Sequence, residues 1–139
     1  MKNSELVREF MEKFDQDVDR NIFDDDVKNL NLLALRVKMV AEEYGDLSGA
    51  AERFTMGLIQ DGVVSATRFI DLVDALAGIL YVTYGFFHTF GIDCNYAFKT
   101  VHNANMSKLG EDGKVKKGPN YQEANLLPIF EDYIKRAAS

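Results

Sequence analysis

The chain has 139 residues, 47% of them apolar and 27% charged, the balance of a soluble globular protein that buries one core rather than staying disordered. Sixteen Lys and Arg against 22 Asp and Glu give a net charge of −6, which argues against general nucleic-acid binding, because that needs a basic surface. A single cysteine, Cys94, excludes an intrachain disulfide and zinc sites built on several thiolates, and points to a reducing, cytoplasmic compartment. The opening MKNSELVREF lacks the apolar core of a signal peptide. The longest mostly apolar stretch, Ala75 to Phe87, is about 13 residues, too short to span a bilayer, so no membrane partner is expected.

In chain order, Leu6, Val7, Phe10, Met11, Phe14 and Val18 stand at helical spacing and predict a helix over 5–20. The acids Asp24 to Asp26 suit a following helix N-terminus. Leu33, Val37, Val40, Tyr44 and Leu47 form a stripe at steps of three and four, predicting a helix over about 28–48 that can continue to 60. Residues 61–65, DGVVS, break it, and Ser65 or Thr67 can cap the next helix, about 67–90, which Gly91 ends at C′. Asp93 caps a fourth helix, about 94–108, stopped by Gly110. The loop 110–120 carries an Asp112-Gly113 pair that suggests a small hairpin. Pro128, in a first-turn position, opens a last helix to about 136. The pattern is that of a single all-α domain over residues 1–139, an antiparallel helical bundle with a short basic loop or hairpin near the C-terminus. Several helices are apolar on more than one face, which calls for a buried helix or a subunit interface.

Three features carry chemistry. Glu42, Glu43 and Asp46 sit at about 0°, 100° and 40° around their helix, within one arc. A solvated acidic face is the commoner explanation of such a triplet, but Leu35, Met39 and Leu32 continue this arc as an apolar face. Unpaired carboxylates buried there cost several kcal/mol each, and that helix carries Arg53 at a similar angle to offset them. Asp71 and Asp74 lie about 60° apart on an almost wholly apolar helix, with Gly78, Tyr81 and Gly85 on the same strip. Asp71, near the N-terminus, can also simply favour the helix dipole. Across a bundle, five carboxylates would make a hard-oxygen site suited to Mg²⁺ or Mn²⁺, with two ions nearly neutralising it. Lys99, Lys108, Lys114, Lys116 and Lys117 form a local basic excess over 99–119. This is a solvated loop, or, beside such a site, a set of contacts for the outer phosphates of a nucleotide.

These stretches resemble the all-α nucleoside triphosphate pyrophosphohydrolases, the MazG-like and phosphoribosyl-ATP pyrophosphohydrolase-like proteins related to dimeric dUTPases. The family pattern of Glu-Glu-x-x-Glu and Glu/Asp-x-x-Asp reads here as Glu42-Glu43-Tyr44-Gly45-Asp46 and Asp71-Leu72-Val73-Asp74. The stretches ILYVTYGFFHTFGID (79–93) and VHNANMSKLGEDGKVKKGPNY (101–121) match a subgroup, and the resemblance covers roughly residues 30–128. Asp46 and Asp71 are shorter than the usual glutamates, and Gly78 stands where many relatives have another aspartate. The resemblance implies cleavage of a (deoxy)nucleoside triphosphate between the α- and β-phosphates, to the monophosphate and pyrophosphate. It implies Glu42, Glu43, Asp46, Asp71 and Asp74 as ligands of two or more Mg²⁺ or Mn²⁺ ions, with Glu43 and Asp71 catalytic. Asn105, Lys108, Lys114, Lys117 and Tyr121 would bind phosphates or sugar, as would Tyr81, and His102 either binds substrate or packs. Phe10, Phe14 and Phe23 pack a core or wall the base pocket. Assembly as a homodimer or homotetramer is expected. Two alternatives stand beside this reading. One is a catalytically weakened nucleotide-binding or regulatory module of the same fold, motivated by Gly78. The other is an acidic helical interaction protein with neither metal nor nucleotide.

Overall fold

The structure, a computed structural model, describes residues 1–62 and 65–138. Among the described residues there are five helices and no strand: α1 (Asn3–Lys13), α2 (Val27–Asp61), α3 (Ala66–Thr89), α4 (Cys94–Met106) and α5 (Leu127–Ala138). The all-α expectation holds. The chain forms two compact units, Met1–Gly91 with α1 to α3 and Ile92–Ser139 with α4 and α5.

In the first unit the Asp26 carboxylate caps α2 by accepting from Asn29 N–H at 2.7 Å, so the acidic run does sit at a helix start. Asn29 itself is fully buried. Its Nδ2 donates to the carbonyls of Asn21 (2.6 Å) and Asp24 (3.0 Å), and its Oδ1 accepts from Arg20 Nε at 2.6 Å. α2 takes the longer of its two possible extents, 35 residues, and ends at Gly62 with φ 65°. The expected break at 61–65 begins there; Val63 and Val64 lie outside the described residues. Ser65, rather than Thr67, caps α3, accepting from Arg68 N–H at 3.4 Å. Gly91, at φ 64°, follows the C-cap Phe90, the C′ place its spacing predicted.

α2 and α3 form an antiparallel hairpin, and glycines set its register. A Cβ on Gly85 would lie 2.7 Å from Arg36 Nη1, and one on Gly78 would lie 2.6 Å from Glu43 Oε2. Further along, Gly57 gives its space to the Arg68 side chain. Arg36, Glu43, Ala50 and Gly57 recur every seven residues along α2, the spacing of a seam between two helices. α1 docks on α3 beside this hairpin, with Val7 and Met11 buried.

Two expectations are corrected. The first helix ends at Lys13 rather than about 20. Asp15 and Asp19 take left-handed backbone conformations (φ 52° and 57°), which aspartate tolerates better than most residues. The N–H groups of Asp19 and Arg20 donate to the carbonyls of His88 (2.8 Å) and Thr89 (2.9 Å). Carbonyls in the last turn of a helix are open to donors from outside it, and here the tertiary hydrogen bonds to the end of α3 outcompete helix continuation after Lys13. The second correction concerns the apolar stretch. α3 has 24 residues and a mean hydropathy of 1.5 over its most apolar window, long and apolar enough by composition to cross a bilayer. Asp71 and Asp74 interrupt the sequence pattern without interrupting the helix.

Arg36 is the costly element of the seam. It is 6% exposed, donates from Nη2 to Gln16 Oε1 at 3.2 Å, and leaves Nε without a partner among the described residues. Burial pushes the guanidinium below its ordinary pKa, against the raising influence of Asp17.

In the second unit Asp93 caps α4, accepting from Tyr96 N–H at 3.0 Å. The Ser107 hydroxyl accepts from Gln122 N–H at 2.9 Å and donates to the Ala104 carbonyl at 2.6 Å, closing the connecting loop at its base. Gly110 N–H donates to the Lys114 carbonyl at 2.8 Å, with Gly113 at φ 76°. The Asp112-Gly113 pair therefore makes a tight turn, with no strand ladder among the described residues. Pro128 is the second residue of α5.

Replacing a buried, incompletely satisfied charge by an apolar side chain of similar length is often neutral or stabilising. Arg36→Met is expected to raise unfolding stability by about 1 kcal/mol, measured by urea denaturation. A loss of stability would show that the Gln16 and Asp17 partners outweigh the desolvation.

Candidate active site

One hollow in the first unit is carved between α2 and α3 by small residues. Gly45, Gly49 and Ala50 on α2 and Ala75 on α3 leave a cavity of about 380 Å³. Its remaining lining is charged: Glu43, Asp46 and Arg53 from α2, Asp71 and Asp74 from α3. The seam thus brings together four of the five carboxylates the sequence singled out, from both helices. Four carboxylates against one guanidinium leave the lining at a formal −3.

Glu43 reaches toward the facing helix. Its carboxylate lies in the space that a side chain at 78 would fill, 2.6 Å from the Cβ position of Gly78. The chain's departure at Gly78 is therefore used: the glycine admits an acid from the facing helix. Glu42 points elsewhere. It is exposed and lies 3.9 Å from Lys38 Nζ, one turn back on α2, and does not line the hollow. Tyr81 belongs to an aromatic group with Phe10, ring centroids 5.6 Å apart and edge-on, and Phe10 lies 4.7 Å from Phe14. These rings keep 39%, 58% and 40% exposure for Phe10, Phe14 and Tyr81, so they are not a closed core. Phe23 is also exposed.

The other predicted substrate residues lie in the second unit. Asn105 is exposed near the end of α4, and Lys108 is half-buried just beyond it. Lys114 and Lys117 are exposed on the loop, and the Lys117 ammonium sits 5.2 Å from the half-buried Tyr121 ring. Lys116 pairs with Asp112 at 3.6 Å. His102 is exposed on α4 rather than packed.

Among the described residues no three His, Cys, Asp or Glu side chains close to metal-binding geometry. The donor set nevertheless fits a hard divalent ion: it is all carboxylate oxygen, drawn from two rigid helices, around an open hollow. The Gly78 notch holds the Glu43 carboxylate at the wall of this hollow. Sequence reasoning did not count Arg53 among the site residues. Its signal was present, as a cation on the acidic arc of α2.

A helical hairpin with carboxylates on both arms facing one hollow defines an all-α protein with an acidic centre between antiparallel helices. Residues 7–105 match the family model of phosphoribosyl-ATP pyrophosphohydrolase, which is well over half of the chain. The chain belongs to this family and is a hydrolase of the pyrophosphohydrolase type. The matched segment contains all five carboxylates, Tyr81 and Asn105, and ends before Lys108. No curated protein matches the chain.

Gly78→Ala is expected to push the Glu43 carboxylate out of its notch. Activity should fall about 10- to 100-fold, because small misplacements of a positioned group carry costs of that order. The same change should raise thermal stability slightly, since alanine is the better helix former. Steady-state pyrophosphate release and a thermal melt measure the two opposed effects.

Proposed function

We propose that this pyrophosphohydrolase acts on a (deoxy)nucleoside triphosphate, cleaving it between the α- and β-phosphates with Mg²⁺ or Mn²⁺ bound. The observation that carries this reading is the single hollow lined by Glu43, Asp46, Asp71 and Asp74 from two facing helices. The chemistry a divalent ion supplies when bound is polarisation of phosphoryl oxygens and a lower pKa for an attacking water. The chain's own part is to hold the charge and orient the water. Glu43, Asp46 and Asp74 are the proposed ligands; Asp71, on the opposite wall from Glu43, orients the water and accepts its proton. Glu42 joins the ligand set only by leaving Lys38. Two ions would bring the lining from −3 to +1, a charge that substrate phosphates then meet. Lys108, Lys114 and Lys117, with Asn105 and Tyr121, are proposed to bind phosphate or sugar on the strength of their charge and hydrogen-bonding groups.

The same proposal places the protein in the cytoplasm, where the buried Cys94 stays a thiol. It also gives α3 a partner. Phe69, Ile70, Val73, Leu76 and Leu80 are all exposed on that helix, more apolar surface than a monomer leaves bare. A second copy of the chain is the proposed cover, in a homodimer or homotetramer, rather than lipid.

Three measurements test this function. Glu43→Gln should abolish pyrophosphate release from nucleoside triphosphates while the helical circular dichroism survives. Release of single orthophosphate by the native enzyme would contradict the proposed bond. Mg²⁺ or Mn²⁺ should raise the melting temperature, because a ligand that binds only the native state stabilises it and here also relieves like-charge crowding. Ile70→Glu, which puts a charge on the bare face of α3, should shift the sedimenting species to a smaller oligomer.

A further inference from the structure

Arg53 is the one basic side chain lining the acidic hollow, and it forms no ion pair with the carboxylates around it among the described residues. It is exposed, and its guanidinium folds back over Gly49 one turn earlier, where a Cβ would lie 3.0 Å from Nη1. An arginine that lines one hollow with four carboxylates and pairs with none of them among the described residues keeps its donor fork available for another anion. Its place along the seam is also informative. Glu43 meets α3 at Gly78, and Tyr81, one turn of α3 further on, meets Phe10. The helices are antiparallel, so the exposed rings lie beyond the Glu43 end of the hollow. Arg53 lies ten residues past Glu43 in the opposite direction, about 15 Å along α2. The order along the hairpin is rings, carboxylates, arginine.

We infer that Arg53 grips the terminal phosphates of the substrate, and hence the leaving pyrophosphate, with the base end of the nucleotide lying toward Phe10 and Tyr81. This rests on the pyrophosphohydrolase reading and fixes the direction in which the triphosphate lies. The planar guanidinium offers two parallel donors to adjacent phosphoryl oxygens, an arrangement lysine cannot reproduce. Charge on the leaving group grows as the bond to the α-phosphorus breaks, so a cation at this end stabilises the transition state more than the ground state.

The test is equilibrium binding of the two products, measured by calorimetry in the presence of Mn²⁺. Arg53→Ala should weaken inorganic pyrophosphate about 10- to 100-fold, the range for hydrogen bonds to charged groups, and change nucleoside monophosphate affinity less than about 3-fold. Arg53→Lys should recover part of the loss, as a point charge without the fork. An unchanged melting temperature for the metal-free variant verifies that the hairpin is intact. Unaltered pyrophosphate affinity, an equal loss for both products, or a selective loss of monophosphate affinity would each overturn the assignment. Absence of pyrophosphate binding to the native protein would overturn it as well. If native protein binds pyrophosphate through Arg53 but releases none from any nucleoside triphosphate, the substrate reading fails while the phosphate-binding role of Arg53 stands.

Discussion

The structure depends on how closely two antiparallel helices approach along one seam. Helices pack at distances set by the side chains between them, and here several of those side chains are missing. Gly78 and Gly85 on α3 let a charged side chain from the opposite helix fill the vacated space, while Gly45, Gly49 and Ala50 on α2 leave room at the wall of the hollow. An apolar seam of the same length would bury more surface. This one gives up that stabilisation over the middle of the hairpin and gains a hollow that polar groups can enter with water still in reach.

Two notches of the seam treat charge differently. Arg36 enters the Gly85 notch and is almost wholly covered, so it loses hydration and recovers, among the described residues, the Gln16 bond and the attraction of Asp17. Glu43 enters the corresponding notch at Gly78 seven residues on, beside an open cavity. One notch is a packing feature bought with a buried charge; the other presents an acid at the wall of a chemical site. Helices rather than loops carry all four carboxylates, which suits a centre whose function is to hold charge at fixed positions.

Much of the lining of the candidate site stood out from spacing. Asp46, Asp71 and Asp74 stood out because acids interrupted apolar helical arcs, and the structure places them with Glu43 around one cavity. Glu42 was on the same calculated arc, yet an arc about 100° wide still has two edges, and Glu42 falls on the edge nearer Lys38. Arg53 was visible as a cation at the right angle. Its role depends on what faces it across the seam, which periodicity within one helix does not encode. The meaning of Gly78 was likewise hidden, because the atom that needs the space belongs to a residue 35 positions earlier.

The sequence alone determined that the chain is helical, where α2 and α4 start, that Gly91 closes α3, and which acids share helix faces, since caps and periodicity are local properties. Only the tertiary structure decided that the first helix stops at Lys13, because the competing hydrogen bonds come from the far end of α3. It also decided which acids line one hollow, which glycine gives way to which side chain, and that a cation lines the same hollow with no ion pair among the described residues. Those outcomes follow from the register between two antiparallel helices, and register is fixed by contacts between residues far apart in the chain.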